Sequence, residues 1–544
     1  MAKVYQHVGG LRPRKSVFNN SHTVLYDCDM GQLIPVLVQE CVPGDVHSVS
    51  IEAVVRFQPL VRPVLHEIFL RFFLFFVPFR LIMNEETVST LGDTGTWESF
   101  ITGGRFGDDD TSLPLWSVPV GGYGKYSLWD YLGNPINVVP TADSMPISFD
   151  KRCYNLIFNE YIRDQNLQDE VSLDADQIHY ISWEKDRFTS ALYDTQRGDR
   201  PAIPLQGLTS VNFNGPFVDS TDGTPIRPLG YVQGTGGFGG AQQQVVPSGG
   251  LGIRFAGSPA LGPAEFYTTQ ANTNPNVATL FQNWLNNNSL NMSQAVTFDT
   301  VDMRRLFQLQ KYLERNMRVG ARYSEQIPAR FGVRPQDYRL QRPEFVGGSR
   351  TPVIVSEVLQ TSESTSASKQ GNMAGHGITA DSTRIGTYRC YAHGYLMGLA
   401  VVQPRALYVQ GIRRDKQRRT KYDFLTPELV NLSEVAIKNS ELVVTGTARD
   451  DEGFGYQGIY DEYRVRESYV VGDMRDTLNY WNLARTDYDS ANPPSLNENF
   501  VRCIPDKRIF AVTSVPGVIV HFANKIRSVR PLPIIAEPGL IDHH

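Results

Sequence analysis

Apolar and polar residues alternate along Ser48 to Phe57, with Val49, Ile51 and Phe57 on one parity and Ser50, Glu52 and Arg56 on the other. A period of two predicts a strand with one buried face. Ile68 to Val77 is instead nearly continuous in Phe, Leu, Ile and Val and stops at Pro78. Such a run needs cover on both faces and predicts a central strand of a sandwich, with Phe73 and Phe75 buried. Pro43-Gly44-Asp45 supplies a turn signal between strand patterns. Strand patterns resume in Pro352 to Leu359, Gly394 to Val402, Glu441 to Thr445 and Ile509 to Phe522. The sandwich is therefore expected to take strands from both ends of the chain.

Three segments carry a helical period. Tyr154, Ile157, Phe158, Tyr161 and Ile162 form one stripe near 151 to 165. Met303, Leu306, Leu309, Leu313 and Met317 form another over 300 to 317, expected to face inward, with Gly320 just past its end. Asn274-Pro275 opens a third, placing Val277, Leu280, Phe281, Trp284 and Leu285 on one side. All three read as packing helices.

Between Gly207 and Gly262 the pattern breaks: 14 of 56 residues are Gly, against 46 in the 544 of the whole chain. Regular core strands tolerate that composition poorly. Two readings stay open, a surface insertion over 200 to 298 and a disordered linker. The stripe beginning at Val277 favours the insertion, which it would anchor.

Charge changes the picture in two ways. The chain holds 52 basic and 57 acidic residues, a formal net charge of −5, so it does not neutralise nucleic acid by itself. The basic set is 40 Arg to 12 Lys, a bias that suits fixed ion pairs and interfaces. Arg413, Arg414, Lys416, Arg418, Arg419 and Lys421 nonetheless crowd into one short run, and Arg12, Arg14 and Lys15 form a second patch. Phosphate contact and subunit contact both suit such runs. A further stretch, 302 to 350, holds eleven basic against five acidic residues. The aromatics Phe454, Tyr456, Tyr460, Tyr463, Tyr469, Tyr480 and Trp481 suit core and interface better than base stacking.

Local catalytic motifs are weak. Gly234 to Gly239 fits G-x-G-x-x-G, but Gln242-Gln243-Gln244 and Pro247 follow where dinucleotide binding needs a helix. Gly124-Lys125 lacks the first glycine of a P-loop, because Pro119 stands there. Asp108-Asp109-Asp110 lacks the alternating spacing of a calcium loop and reads as a solvated turn. His376 is expected in a Gly-rich loop, and no triad or metalloprotease signature occurs. Cys28, Cys41, Cys153, Cys390 and Cys503 are widely spaced without C-x-x-C, which argues against a disulfide framework or zinc ribbon. Met1 to His7 has no apolar run of signal-peptide length and no stretch spans a membrane, so the chain is read as soluble and unexported.

Several segments in order resemble one family. They are Gln32 to Val36, Val42-Pro43-Gly44-Asp45, Phe75 to Leu81, Gln341 to Gly348, Ala392 to Leu399, Tyr408 to Gly411 and Gly453 to Gln457. Together they resemble the major capsid protein of the microviruses, small circular single-stranded DNA bacteriophages, closest to the gokushovirus branch. The resemblance implies a mainly β fold, an eight-stranded antiparallel viral jelly-roll β-sandwich with long inter-strand insertions and a few short helices. It implies one capsid domain over 1–544 with 200–298 as a threefold protrusion. It also implies about sixty copies closing a T=1 icosahedral shell. Partners implied are the circular single-stranded DNA genome, a small basic DNA-packaging protein, an internal scaffolding protein during assembly and a host-cell surface receptor. The implied setting is the virion, assembled in the host bacterial cytoplasm, with no cofactor and no catalysis. Two other classes remain: a carbohydrate-active β-sandwich enzyme, which needs two carboxylates across a cleft, and a receptor-binding phage spike protein.

Overall fold

The computed structural model describes residues 14–83, 96–102, 113–201, 300–359, 373–432, 434–489 and 491–535, with three short strands between 227 and 268. Near the start come β1 (Ser16–Asn19), β2 (His22–Cys28), β3 (Ile34–Cys41), β4 (Val46–Phe57) and β5 (Ile68–Pro78). Then follow β6 (Arg227–Pro228), β7 (Gly250–Arg254), β8 (Glu265–Thr268), β9 (Glu344–Pro352), β10 (Ile354–Leu359), β11 (Met373–Arg389) and β12 (Gly394–Pro404). The last are β13 (Glu434–Lys438), β14 (Gly453–Gly458) and β15 (Val518–Arg530). The helices used below are α1 (Phe149–Ile157), α2 (Thr300–Val319) and α3 (Tyr323–Phe331).

Two antiparallel sheets dominate. One runs β1-β15-β4-β11-β10 with β2 also on β15, and the other runs β3-β12-β5-β9. Strands from both ends of the chain thus share one sheet: β4 pairs with β15 from Phe57 opposite Val518 to Val46 opposite Val529. Alternation along β4 turns Val49, Ile51, Ala53, Val55 and Phe57 inward, where they meet Leu70, Phe72, Leu74 and Phe76 of β5 in one cluster. Phe72 stacks on Phe522 of the opposite sheet with ring centroids 5.5 Å apart.

β5 and β12 are covered on their other face too. Phe75, Val77, Met397, Leu399 and Val401 belong to a second cluster, built with α1 and irregular chain from 113 to 188 and from 406 to 503. Phe75 is buried as the apolar run predicts, whereas Phe73 is only half-buried. The stripe near 151 to 165 forms α1 and a π-helical turn, Phe158–Ile162, and buries Tyr154, Ile157 and Phe158.

Four further expectations are corrected. Glu441 to Thr445 is not a strand; Glu434–Lys438 is, paired with β14. β15 starts at Val518, nine residues after the Ile509 expected to open it, and the chain before it is irregular. His376 lies on β11, opposite Ser356 of β10, rather than in a loop. On α2 only Met317 is fully buried, and Met303 and Leu309 are exposed among the described residues. A helical period tells which residues share a face and not what covers that face. The end of α2 is as read, with Gly320 at φ 104°.

The chain divides into two compact units, Met1–Gly198 with Tyr312–His544, and Asp199–Lys311. The second contains β6, β7 and β8, which form a three-stranded sheet. The helix expected after Asn274, the glycine motif at 234 to 239 and the aspartates at 108 to 110 lie outside the described residues.

Candidate nucleic-acid and assembly surface

The basic run follows β12 on a loop pinned to chain far along the sequence. Ile412 donates its backbone N–H to Ser440 O at 2.9 Å, and Gln410 bridges Val443. Short helical turns at Arg414–Lys416 and Lys421–Asp423 then fold the loop on itself. Asp423 accepts the backbone N–H groups of Thr420 and Arg419 at 2.7 and 2.8 Å. Those bonds hold its carboxyl below the usual carboxylate range.

Three of the six cations are committed inside the chain. Arg413 pairs with Asp415 at 2.6 Å. Arg414 donates to Ala436 O at 2.8 Å and reaches Glu441 Oε1 at 3.2 Å. Arg418 lies over the rings of Tyr463 and Phe424, at 4.6 and 5.1 Å, and 3.5 Å from Glu462 Oε1. These are the fixed ion pairs and stacked contacts to which guanidinium is suited. Lys416, Arg419 and Lys421 are exposed. Arg14 and Lys15 are exposed as well, with the Lys15 ammonium 2.6 Å from Gly44 O, and Arg12 is outside the described residues. The stripe Val277, Leu280, Phe281, Trp284 and Leu285 also lies outside them.

The rest of the loop is apolar and uncovered in the single chain. Tyr422, Phe424, Leu425, Val430 and Leu432 are exposed, and Tyr463 is half exposed beside them, its hydroxyl 3.4 Å from Leu425 N. Aromatic and aliphatic exposure of this kind marks an interaction surface. Sequence reasoning missed these residues because Lys421 to Leu432 has neither a period of two nor one of 3.6. The aromatics beyond it divide: Phe454 and Tyr460 are buried, Tyr456, Tyr480 and Trp481 are half-buried, and Tyr463 and Tyr469 are exposed.

Beneath the loop sits a charged knot. Arg187 bonds Glu441 and Glu467, and its Nε donates to Gln457 Oε1 at 2.6 Å. The Arg187 and Glu441 side chains are each only 2% exposed. The second basic stretch is similarly engaged, with Arg342 on Asp337, Arg350 on Glu184 and Arg318 on Glu434.

A cavity of about 260 Å³ nearby is lined by Val409, Gln410, Val443, Arg475, Asp476, Asn479, Arg485, Thr486 and Tyr488. Asp476 is the one carboxylate in that lining, and glycoside hydrolysis needs two. Among the described residues no helix is long and apolar enough to cross a membrane.

A β-sandwich that leaves an apolar and cationic loop uncovered in the single chain has the surface of a structural assembly protein. The family model for the capsid protein (F protein) of phages matches residues 6–540, and the chain belongs to that family. Similar proteins are capsid protein VP1 of Chlamydia phage 1, 32% identical over 97% of this chain and 96% of that protein, and of Bdellovibrio phage phiMH2K, 30% identical over 98% and 97%. VP1 of Spiroplasma virus 4 is 26% identical over 97% and 95%. The chain is accordingly a microvirus major capsid protein, a structural component of the virion and not an enzyme.

Proposed function

We propose that the chain closes a T=1 shell of about sixty copies around a circular single-stranded DNA genome, using a jelly roll as its wall. The strand orders support the jelly roll: β2-β15-β4-β11 and β3-β12-β5-β9 are the two four-stranded halves, with β1 and β10 as additions. The observation that carries the shell is the capsid-family match over 6–540, joined to an apolar loop that a lone subunit leaves uncovered.

In this reading the genome contact narrows to Lys416, Arg419 and Lys421, with Arg12, Arg14 and Lys15 as a second patch. A subunit of net charge −5 leaves most phosphate charge to a small basic packaging protein. An internal scaffolding protein guides assembly in the host cytoplasm. Segment 200–298 forms a threefold protrusion that contributes to attachment at a host-cell receptor. Its glycine content and the separate compact unit Asp199–Lys311 support that role.

The test replaces Lys416, Arg419 and Lys421 together with Ala and follows single-stranded DNA binding against salt. The log–log slope should fall by about 0.7 for each phosphate no longer neutralised, about 2 in all, with particle geometry unchanged. A folded triple variant that fails to assemble would move these residues to a subunit interface.

A further inference from the structure

At one end of the sandwich the β3–β4 turn, the residue after β11 and the C-terminal end of β15 converge on a buried cluster of ligating side chains. Cys41, His47 and Cys390 are each 0% exposed, and one ligand atom from each lies within 4.8 Å of the others. Asp45, equally buried, places Oδ2 3.3 Å from His47 Nε2. No disulfide joins the two cysteines.

Two atoms here lack hydrogen bonds. His47 Nδ1 lies 2.8 Å from Ser528 Oγ, which orients the ring; Nε2 has only the 3.3 Å approach of Asp45 Oδ2 and no hydrogen bond, and Asp45 Oδ1 has no hydrogen bond either. Buried polar atoms are rarely left so, and an ion that fills the gap is one standard explanation. The backbone holding them is fixed: Gly44 donates to Cys390 O and Cys390 donates to Asp45 O, both at 2.9 Å. Gly44 makes that tight turn at φ 96°.

We infer that Cys41, His47, Cys390 and Asp45 form a closed structural site for a tetrahedral divalent metal, zinc by its donor set. Zinc bonds of about 2.3 Å to sulfur and 2.0 to 2.1 Å to nitrogen or oxygen put ligand atoms about 3.3 to 3.8 Å apart. The His47–Asp45 separation already has that value, and the two thiols lie within 4.8 Å of each other and of the imidazole. Two thiolates, an imidazole and a carboxylate favour zinc over hard cations. Charge closes as well. Two thiolates and Asp45 give three negative charges, against a divalent ion and Arg530, whose Nε is 3.1 Å from Asp45 Oδ2. Ser528 is the outer partner that fixes the imidazole. The metal would tie the chain just after β11 to the β3–β4 turn, with the C-terminal end of β15 bracing the site through Ser528 and Arg530.

The test uses the untagged full-length chain, reduced, loaded with zinc or cobalt(II) and dialysed against metal-free buffer. Elemental analysis should find one equivalent of zinc per chain. Cobalt should show thiolate-to-metal charge transfer in the near ultraviolet with the strong ligand-field bands of a tetrahedral site. His543 and His544 bring imidazoles only and cannot produce the charge-transfer band. Cys41→Ser and Cys390→Ser should each weaken that band and lower affinity by more than about tenfold, Ser528→Ala by about tenfold, and Cys503→Ser should change neither. Because the cobalt spectrum is read on the unaltered chain, a variant that fails to fold does not spoil the test. Absence of thiolate charge transfer in the reduced chain would overturn the inference. So would peptide mapping, after thiol blocking, that finds Cys41 joined to Cys390 in assembled particles.

Discussion

The two faces of the β3-β12-β5-β9 sheet are buried by different means. On the inner face nearly every contact is apolar, strand side chains meeting strand side chains across the sandwich. On the outer face the cover is largely irregular chain, and its backbone and charges must be satisfied one by one. Arg152 is fully buried, held by Asp174 at 2.9 Å and by Ile82 O at 3.1 Å. Tyr154 donates to Leu33 O and accepts from His179 N, each at 2.9 Å. His179 lies stacked between Tyr154 and Phe158 and bonds Asn155 Oδ1 at 2.8 Å. The inner face depends chiefly on shape, with a few polar bonds such as Asn524 Nδ2 to Val36 O at 2.7 Å. The outer face depends on charged partners, because a buried charge deprived of its counter-charge costs more than a missing methyl group.

Single substitutions should separate the two. Arg187→Met leaves Glu467 without this cation and Glu441 with Arg414 alone, and should cost the unassembled subunit about 3 to 5 kcal/mol in urea unfolding. Adding Glu441→Gln and Glu467→Gln should recover most of that loss. Phe72→Ala on the inner face should cost a similar 3 to 5 kcal/mol, from the cavity and the forgone transfer energy, with no polar change able to restore it. Recovery of the Phe72 variant by the same Gln pair would erase the distinction.

A smaller effect belongs to pH. Burial pushes His179 down from 6.5 to about 4, with Arg502 acting in the same direction. The unfolded chain therefore binds the extra proton first as pH falls. The stabilisation is fully present above pH 6.5 and is lost progressively down to about 4, a change on the order of 3 kcal/mol. His66 is shifted alike by burial, so the readout is the difference between the native chain and His179→Gln, whose profile should be flatter. Equal profiles would mean that the outer face does not hold this imidazole neutral.

The smallest effects bracket the scale. Ile51→Val on the inner face should cost about 0.5 to 1.5 kcal/mol. Lys416→Ala on the exposed loop should stay within about 0.5 kcal/mol in thermal unfolding.

What the sequence discloses follows the same division. β4 and β5 are legible because their inward positions are apolar. β11 pairs beside β4 along most of its length and yet escapes notice, since its inward residues are Gly375, Gly377, Thr379 and Asp381 while Ile378 faces out. A Cβ on Gly377 would stand 2.4 Å from the Phe57 ring, and one on Gly375 2.7 Å from Pro63 Cα, so neighbours from elsewhere fill the space that a pattern would assign to these residues. The basic run is legible as charge only. That Arg414 and Arg418 are spent on Glu441 and Glu462 depends on partners brought close by the fold.

The central claim is that this sandwich is a shell wall whose uncovered loop is completed by neighbouring copies. Electron cryomicroscopy of particles formed by the full-length chain tests it most directly. The account predicts closed isometric shells in which Tyr422, Phe424 and Leu425 pack against an adjacent subunit and Lys416, Arg419 and Lys421 line the interior. Particles that leave this loop exposed on the outer surface, or a chain that stays monomeric under assembly conditions, would contradict it.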